Sequence, residues 1–241
     1  MELKGVTVIV TGGSKGYGRG IARTLKELGA EVWITARGAT ALEQAAKELG
    51  VHAVAADVGR GADWDKVFDA VLKARGRVDL LVNNAGAGVA IKDLQEQSDD
   101  DIVNSININL TGAILGCKRA AAVMARQKSG MIVNISSVCA LHAWPGWSVY
   151  TAAKAGLSKF GHGLHTELRP HGVRVTTLTP SWGATDFANA AALPGQDATT
   201  LSKCMSPDEM GELVAQLYSM PPHLVVPDIT VQPTIQEIIP M

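Results

Sequence analysis

The chain has 241 residues, 46% of them hydrophobic, and its 22 basic and 23 acidic side chains nearly cancel to a net charge of −1. Such a length gives one sizeable core, and the balanced charge argues against nucleic acid or an anionic membrane as partner. No stretch reaches the roughly 18 consecutive apolar residues of a membrane-spanning helix.

Short apolar runs alternate with longer amphipathic ones. In chain order the pattern predicts a strand at Val6–Val10, a helix at Gly18–Leu28, a strand at Glu31–Ala36 and a helix at Ala39–Leu49. It continues with a strand at Ala53–Ala56, a helix at Trp64–Ala74, a strand at Leu80–Val82 and a long helix at Asp99–Met124. A strand at Met131–Ile135, a helix at Tyr150–Leu168 and a strand at Val173–Leu178 follow, with a seventh strand expected within Leu224–Val231. The strands are nearly continuous in Val, Ile and Leu, as strands buried on both faces are. Alternation of this kind gives an α/β fold: a doubly wound parallel sheet of about seven strands with helices on both faces. No repeat or linker divides the chain, so residues 1–241 are expected to form one domain. The segment Ala184–Cys204 is long and irregular, as a lid or binding loop often is.

The start, MELKGVTVIVTGG, lacks the basic and long apolar regions of a signal peptide. Cys117, Cys139 and Cys204 are odd in number and far apart. That pattern suits buried thiols in a reducing cytoplasm better than a disulfide framework. His162 and His165, with Glu167 nearby, lack a third ligand at suitable spacing, so no metal is expected.

The stretch VIVTGGSKGYGRGIA runs from the first strand into the first helix. Gly12, Gly16 and Gly18 allow a tight turn and close backbone approach to a ligand. The helix N-terminus then offers free N–H groups to a pyrophosphate. Such a strand, glycine turn and helix is a Rossmann-like dinucleotide cradle. An acid at the end of the second strand would grip the ribose 2′-hydroxyl of NAD(H). Here the sequence reads WITARGAT, with Ala36 in that place and Arg37 after it. A guanidinium binds a 2′-phosphate that a carboxylate would repel. With Lys15 as a second cation and Ser14 as a hydroxyl donor, NADP(H) is favoured over NAD(H).

Six motifs then occur in order: TGGSKGYG at Thr11–Gly18, DV at Asp57–Val58, NNAG at Asn83–Gly86, NLTG at Asn109–Gly112, NISS at Asn134–Ser137 and YTAAK at Tyr150–Lys154. In this the chain resembles the compact, single-domain short-chain dehydrogenases/reductases, up to about Pro180. The resemblance implies an oxidoreductase acting on a carbonyl or alcohol, with three helices on each side of the sheet. It implies cofactor contacts from Gly12, Ser14, Lys15, Gly16, Tyr17 and Gly18, from Arg37, and from Asp57 and Val58 at the adenine. Further contacts are implied for Asn84, Ala85, Gly86, Tyr150, Lys154, Pro180, Gly183 and Thr185. Similar sequences carry the catalytic Ser thirteen residues before the Tyr, which selects Ser137 over Ser136. The Asn-Leu pattern selects Asn109 over Asn107.

Hydride transfer to a ketone needs a proton for the developing alkoxide. A free Tyr has a pKa of about 10, and a nearby ammonium lowers it. Tyr150 and Lys154 stand at i and i+4, neighbours on a helix. Tyr150 is thus expected to be the general acid in reduction and the base in oxidation. By resemblance, Ser137 holds the substrate oxygen, Lys154 the nicotinamide ribose and Asn109 a water on the proton path.

The loop VCALHAWPGWSV supplies His142, Trp144 and Trp147 to the expected substrate site, with Trp182 and Phe187 beyond the sixth strand. Aromatic walls suit a flat, bulky or sugar-like small molecule. Asp186–Leu201 is expected to cover that substrate. The C-terminal Ile235, Ile238 and Ile239 would be costly in water. The tail is therefore expected to pack on its own core or on another subunit of a homo-oligomer, a dimer or tetramer.

Overall fold

The structure is a computed structural model that describes residues 2–87, 91–187 and 197–236. Part of the expected covering loop, 188–196, and Ile238 and Ile239 of the tail lie outside the described residues.

Seven parallel strands form one sheet in the order β3-β2-β1-β4-β5-β6-β7. They are β1 Thr7–Thr11, β2 Glu31–Ala36, β3 His52–Ala55, β4 Leu80–Asn83, β5 Gly130–Ile135, β6 Val173–Pro180 and β7 Asp228–Val231. The seventh strand is shorter than the apolar run suggests. It begins only after Pro227, which has no N–H for the ladder and whose carbonyl accepts from Thr177 N at 2.8 Å.

The helices are α1 Gly16–Glu27, α2 Ala39–Leu49, α3 Gly61–Arg75, α4 Asp99–Ile106, α5 Gly112–Gln127, α6 Ser148–Leu168 and α7 Pro207–Ser219. Alternation along each strand sorts the core. Val8, Val10 and Ile34 meet Ile21, Leu25, Leu42 and Val214 of α1, α2 and α7 on one face. Ile9, Leu81 and Ile132 meet Trp64, Phe68, Cys117 and Leu164 of α3, α5 and α6 on the other. Three of the helices thus pack on each side.

Two departures from the sequence pattern matter for the site. The long helix expected over Asp99–Met124 is interrupted by a π-helical turn, Asn107–Thr111, between α4 and α5. Helix α7 was not predicted, although Ser206, Pro207 and Glu209 are a capping box with Pro at the first turn. It packs tightly on α1, with Gly20 against Pro207 and Gly211 against Thr24.

Gly116 shows how closely α5 approaches α3. A Cβ there would sit 2.5 Å from the Trp64 ring, and Trp64 is fully buried. Gly116→Ala should therefore cost about 1–3 kcal/mol through overpacking. Thermal unfolding should show a melting temperature lowered by roughly 2–10 °C; an unchanged value would mean that the two helices part without cost.

Candidate active site

β1 has β2 on one side and β4 on the other, so the chain connections diverge there and a crevice opens at the carboxyl ends of the strands. A cavity of about 770 Å³ occupies that crevice. Its walls come from the ends of β1 to β6, and it runs unbroken from the glycine turn to Tyr150.

At the glycine end, Thr11 is the fastening. Its hydroxyl accepts from the N–H groups of Asn84 and Ala85, both at 2.9 Å, and its carbonyl accepts from Asn84 Nδ2 at 2.8 Å. These bonds tie the turn after β1 to the turn after β4. Gly18 lies behind the cavity wall, where a Cβ would be 2.5 Å from Asn84 Nδ2, so only glycine lets α1 start this close. Gly12, Ser14, Lys15, Gly16 and Tyr17 line the cavity, as do Asn84, Ala85 and Gly86. Asp57 and Val58 line it beyond β3. Their loop is held by Gly59 N–H donating to Asp57 Oδ1 at 2.9 Å and Trp64 Nε1 donating to the Val58 carbonyl at 2.9 Å.

Arg37 and Lys15 both line the cavity and are exposed. Among the described residues no carboxylate pairs with either. Two unengaged cations beside a glycine turn and a helix N-terminus fit an anionic dinucleotide. The Tyr17 ring packs on Gly183, and its buried hydroxyl has no hydrogen-bond partner among the described residues. Burial raises that phenol above its ordinary range. The glycine turn is thereby wedged against the segment after β6, where Pro180, Gly183 and Thr185 also line the cavity.

The other end gathers Ser137, Tyr150 and Lys154 around one space. Ser136 points away, donating to the Lys154 carbonyl at 3.1 Å and lying 2.9 Å from Ser158 Oγ. Ser137 follows β5, and its Oγ accepts from Cys139 N at 3.2 Å. Tyr150 and Lys154 come from the first turns of α6, and both are buried. Lys154 Nζ donates to the Ile135 carbonyl at 2.9 Å and stands 5.7 Å from the Tyr150 ring centre.

Asn109 sits in the π-helical turn and does not line the cavity. Its Nδ2 donates to Ser105 O at 2.9 Å, a carbonyl that a regular α-turn would bond through the backbone, and to Ala87 O at 2.7 Å. Its Oδ1 is buried without a partner among the described residues. A Cβ on Gly86 would sit 3.1 Å from that oxygen and 3.7 Å from Lys154 Nζ, so the glycine keeps the gap between them open. Asn107 instead packs its amide against Gly59.

The electrostatics differ from the sequence expectation in one respect. Burial raises the Tyr150 phenol above its ordinary range, Cys139 adds to this, and Ser137 pulls the other way by hydrogen bonding. Burial also pushes Lys154 down to about 8. In the protein alone, desolvation is the largest influence on both groups and opposes both charged forms.

Trp144, Trp147, Trp182 and Phe187 line the cavity around Tyr150, whereas His142 stands outside it, edge-on to Trp144 at 6.0 Å. Leu201, the last residue of the expected covering loop, lines it, and so do Cys139 and Gln236, which sequence reasoning missed. Gln236 returns from the C-terminal segment, its Oε1 accepting from Trp182 N at 3.2 Å. Ile235 beside it is 41% exposed. Among the described residues no helix is long and apolar enough to cross a membrane.

The family model for short chain dehydrogenases matches residues 6–193. A relative, 3β-hydroxysteroid dehydrogenase 1 of Eggerthella lenta, is 38% identical over 186 residues, 74% of this chain and 71% of the relative. Among solved structures, the closed form of serine dehydrogenase complexed with NADP+ is 26% identical with a TM-score of 0.89, covering 98% of both chains. The 3-ketoacyl-(acyl-carrier-protein) reductase from Brucella melitensis, complexed with NADH, is 27% identical with a TM-score of 0.88, covering 96% of this chain and 98% of that one. The chain belongs to the short-chain dehydrogenase family and is an oxidoreductase of CH–OH and C=O groups.

Proposed function

We propose that the protein is an NADP(H)-dependent oxidoreductase that interconverts a ketone and a secondary alcohol, with Tyr150 as general acid/base. The observation that carries this is the single cavity joining Arg37 and Lys15 at one end to Ser137, Tyr150 and Lys154 at the other. Bound NADP(H) would supply or accept the hydride. In reduction Tyr150 gives its phenolic proton to the substrate oxygen, and the Ser137 hydroxyl holds that oxygen. The Lys154 ammonium offsets the phenolate left behind and would hold the nicotinamide ribose of a bound cofactor. Asn109 Oδ1, without a partner among the described residues and beside the gap at Gly86, accepts from a water that returns the proton. The 3β-hydroxysteroid dehydrogenase relative supports a secondary alcohol and ketone as the reacting pair. A panel of ketones and alcohols, followed by NADPH absorbance, tests the reading. NADPH binding with no turnover of any member would favour a cofactor-sensing protein instead.

The Lys154 role carries a pH signature. With the ammonium pushed down to about 8 by burial, raising the pH from about 7 to about 9 converts most of it to the amine. Tyr150 and Cys139, which face it, are both raised by burial, the direction that opposes their ionisation as the pH climbs. Charged hydrogen bonds are roughly twice as strong as neutral ones, so NADPH affinity should weaken about three- to tenfold across it. Fluorescence titration should show this limb in the wild type and lose it in Lys154→Met. A limb that survives the substitution belongs to another group.

A further inference from the structure

We infer that the substrate is an uncharged, ring-bearing ketone or secondary alcohol that stacks on Trp147 and Phe187, and that anionic substrates are excluded. This rests on the reading of Tyr150 as proton donor and adds the chemistry of what reaches it.

Two rings from separate parts of the fold converge on the Tyr150 ring. Trp147, just before α6, and Phe187, after β6, lie with ring centres 6.5 Å apart and 26° between planes. Trp147 stands edge-on to Tyr150 at 5.7 Å, and Phe187 is tilted to it at 5.8 Å. All three line the cavity. A flat ring laid on this wall meets aromatic faces and edges in the offset geometries such rings prefer. Its oxygen is then close to the phenol. Val138, Cys139 and Leu201 add further apolar wall.

The distribution of charge supplies the second half. Of the cations lining the cavity among the described residues, Lys15 and Arg37 are at the glycine end and Lys154 is spent on the Ile135 carbonyl and the phenol. On the Trp147 and Phe187 side the charged lining residue is Asp186, a carboxylate. A substrate carboxylate or phosphate would lose water there with no counter-charge and with an acid nearby.

The test uses the purified protein with NADPH and matched ketones: acetophenone against acetylbenzoate, tetralone and a steroid ketone against an acetoacetyl thioester of coenzyme A, and butanone as a small reference. Acetophenone should exceed acetylbenzoate at least about tenfold in kcat/KM, since only the latter buries an unpaired charge. Trp147→Ala and Phe187→Ala should each lower kcat/KM for the ring ketones about tenfold more than that for butanone. The inference is overturned if the anionic partners match or surpass the neutral ones. It is also overturned if ring ketones and butanone fall equally in both variants. Should no ketone turn over, calorimetry of tetralone with the NADPH complex decides. Binding that is lost in Trp147→Ala upholds the substrate class while hydride transfer fails, and no binding to the wild type overturns the class itself.

Discussion

Replacing Tyr150 by Phe is expected to leave NADPH affinity within about threefold and to lower kcat/KM for any ketone roughly 10²–10⁴-fold, the usual worth of a positioned proton donor. The substitution deletes one oxygen and keeps the ring. Tyr150 is buried against Trp147 and Phe187, so the phenyl group still fills its place and the fold should survive. Reduction starts from a phenol that burial keeps protonated across the neutral range, so the phenol should add no pH dependence of its own to the wild-type reductive rate there. Oxidation needs the phenolate, which desolvation disfavours, so the oxidative rate should climb as pH rises toward alkaline values. That climb should vanish in the Phe variant. Turnover within tenfold of wild type would remove Tyr150 from the chemistry and leave Ser137 as the candidate donor.

Most of the fold could be read from the chain because its inner strands are buried on both faces. Runs such as Val8–Val10 and Leu80–Val82 stay apolar without alternating, and only a covered parallel sheet tolerates that. What periodicity cannot show is a change of helical pitch. The π-helical turn at Asn107–Thr111 leaves the apolar pattern intact yet redirects Asn109, whose side chain closes the bond to Ser105 O. Loop residues fail for another reason. Nothing in VCALHAWPGWSV says which way a side chain points, and His142 stands outside the cavity while Cys139 lines it. Gln236 is nearly fifty residues beyond Phe187 in the chain. Its return to Trp182 depends on where β7 leaves the sheet, which spacing does not encode.

The balance of charges around Tyr150 was also hidden. A Tyr and a Lys at i and i+4 look like a pair in which the ammonium activates the phenol. That comparison assumes water around both. Once α6 buries them, each charged form loses its hydration, and desolvation dominates. At neutral pH the phenol therefore rests neutral beside a lysine that is still mostly charged, and proton movement waits on what enters the cavity.

Reversing charge at the far end should change the cofactor. In Arg37→Asp the ratio of kcat/KM for NADPH over NADH is expected to fall about 100-fold or more. A charged hydrogen bond contributes about 1.5–3 kcal/mol, or roughly 10- to 100-fold. The new carboxylate adds repulsion to the 2′-phosphate while offering an acceptor to the NAD ribose hydroxyl. Lys15 remains and keeps some attraction for the phosphate, so Lys15→Ala with Arg37→Asp should carry the preference further. Because Arg37 is exposed, its effect is screened by salt. The wild-type preference should narrow as ionic strength rises, and that of Arg37→Asp should respond in the opposite sense. Ala36 and Arg37 stand at the end of β2, where an acid would otherwise read the ribose, so no other single substitution tests the cofactor assignment as directly. An unchanged ratio would mean that Arg37 is a solvated surface charge, and that the two cofactors are told apart elsewhere in the cavity.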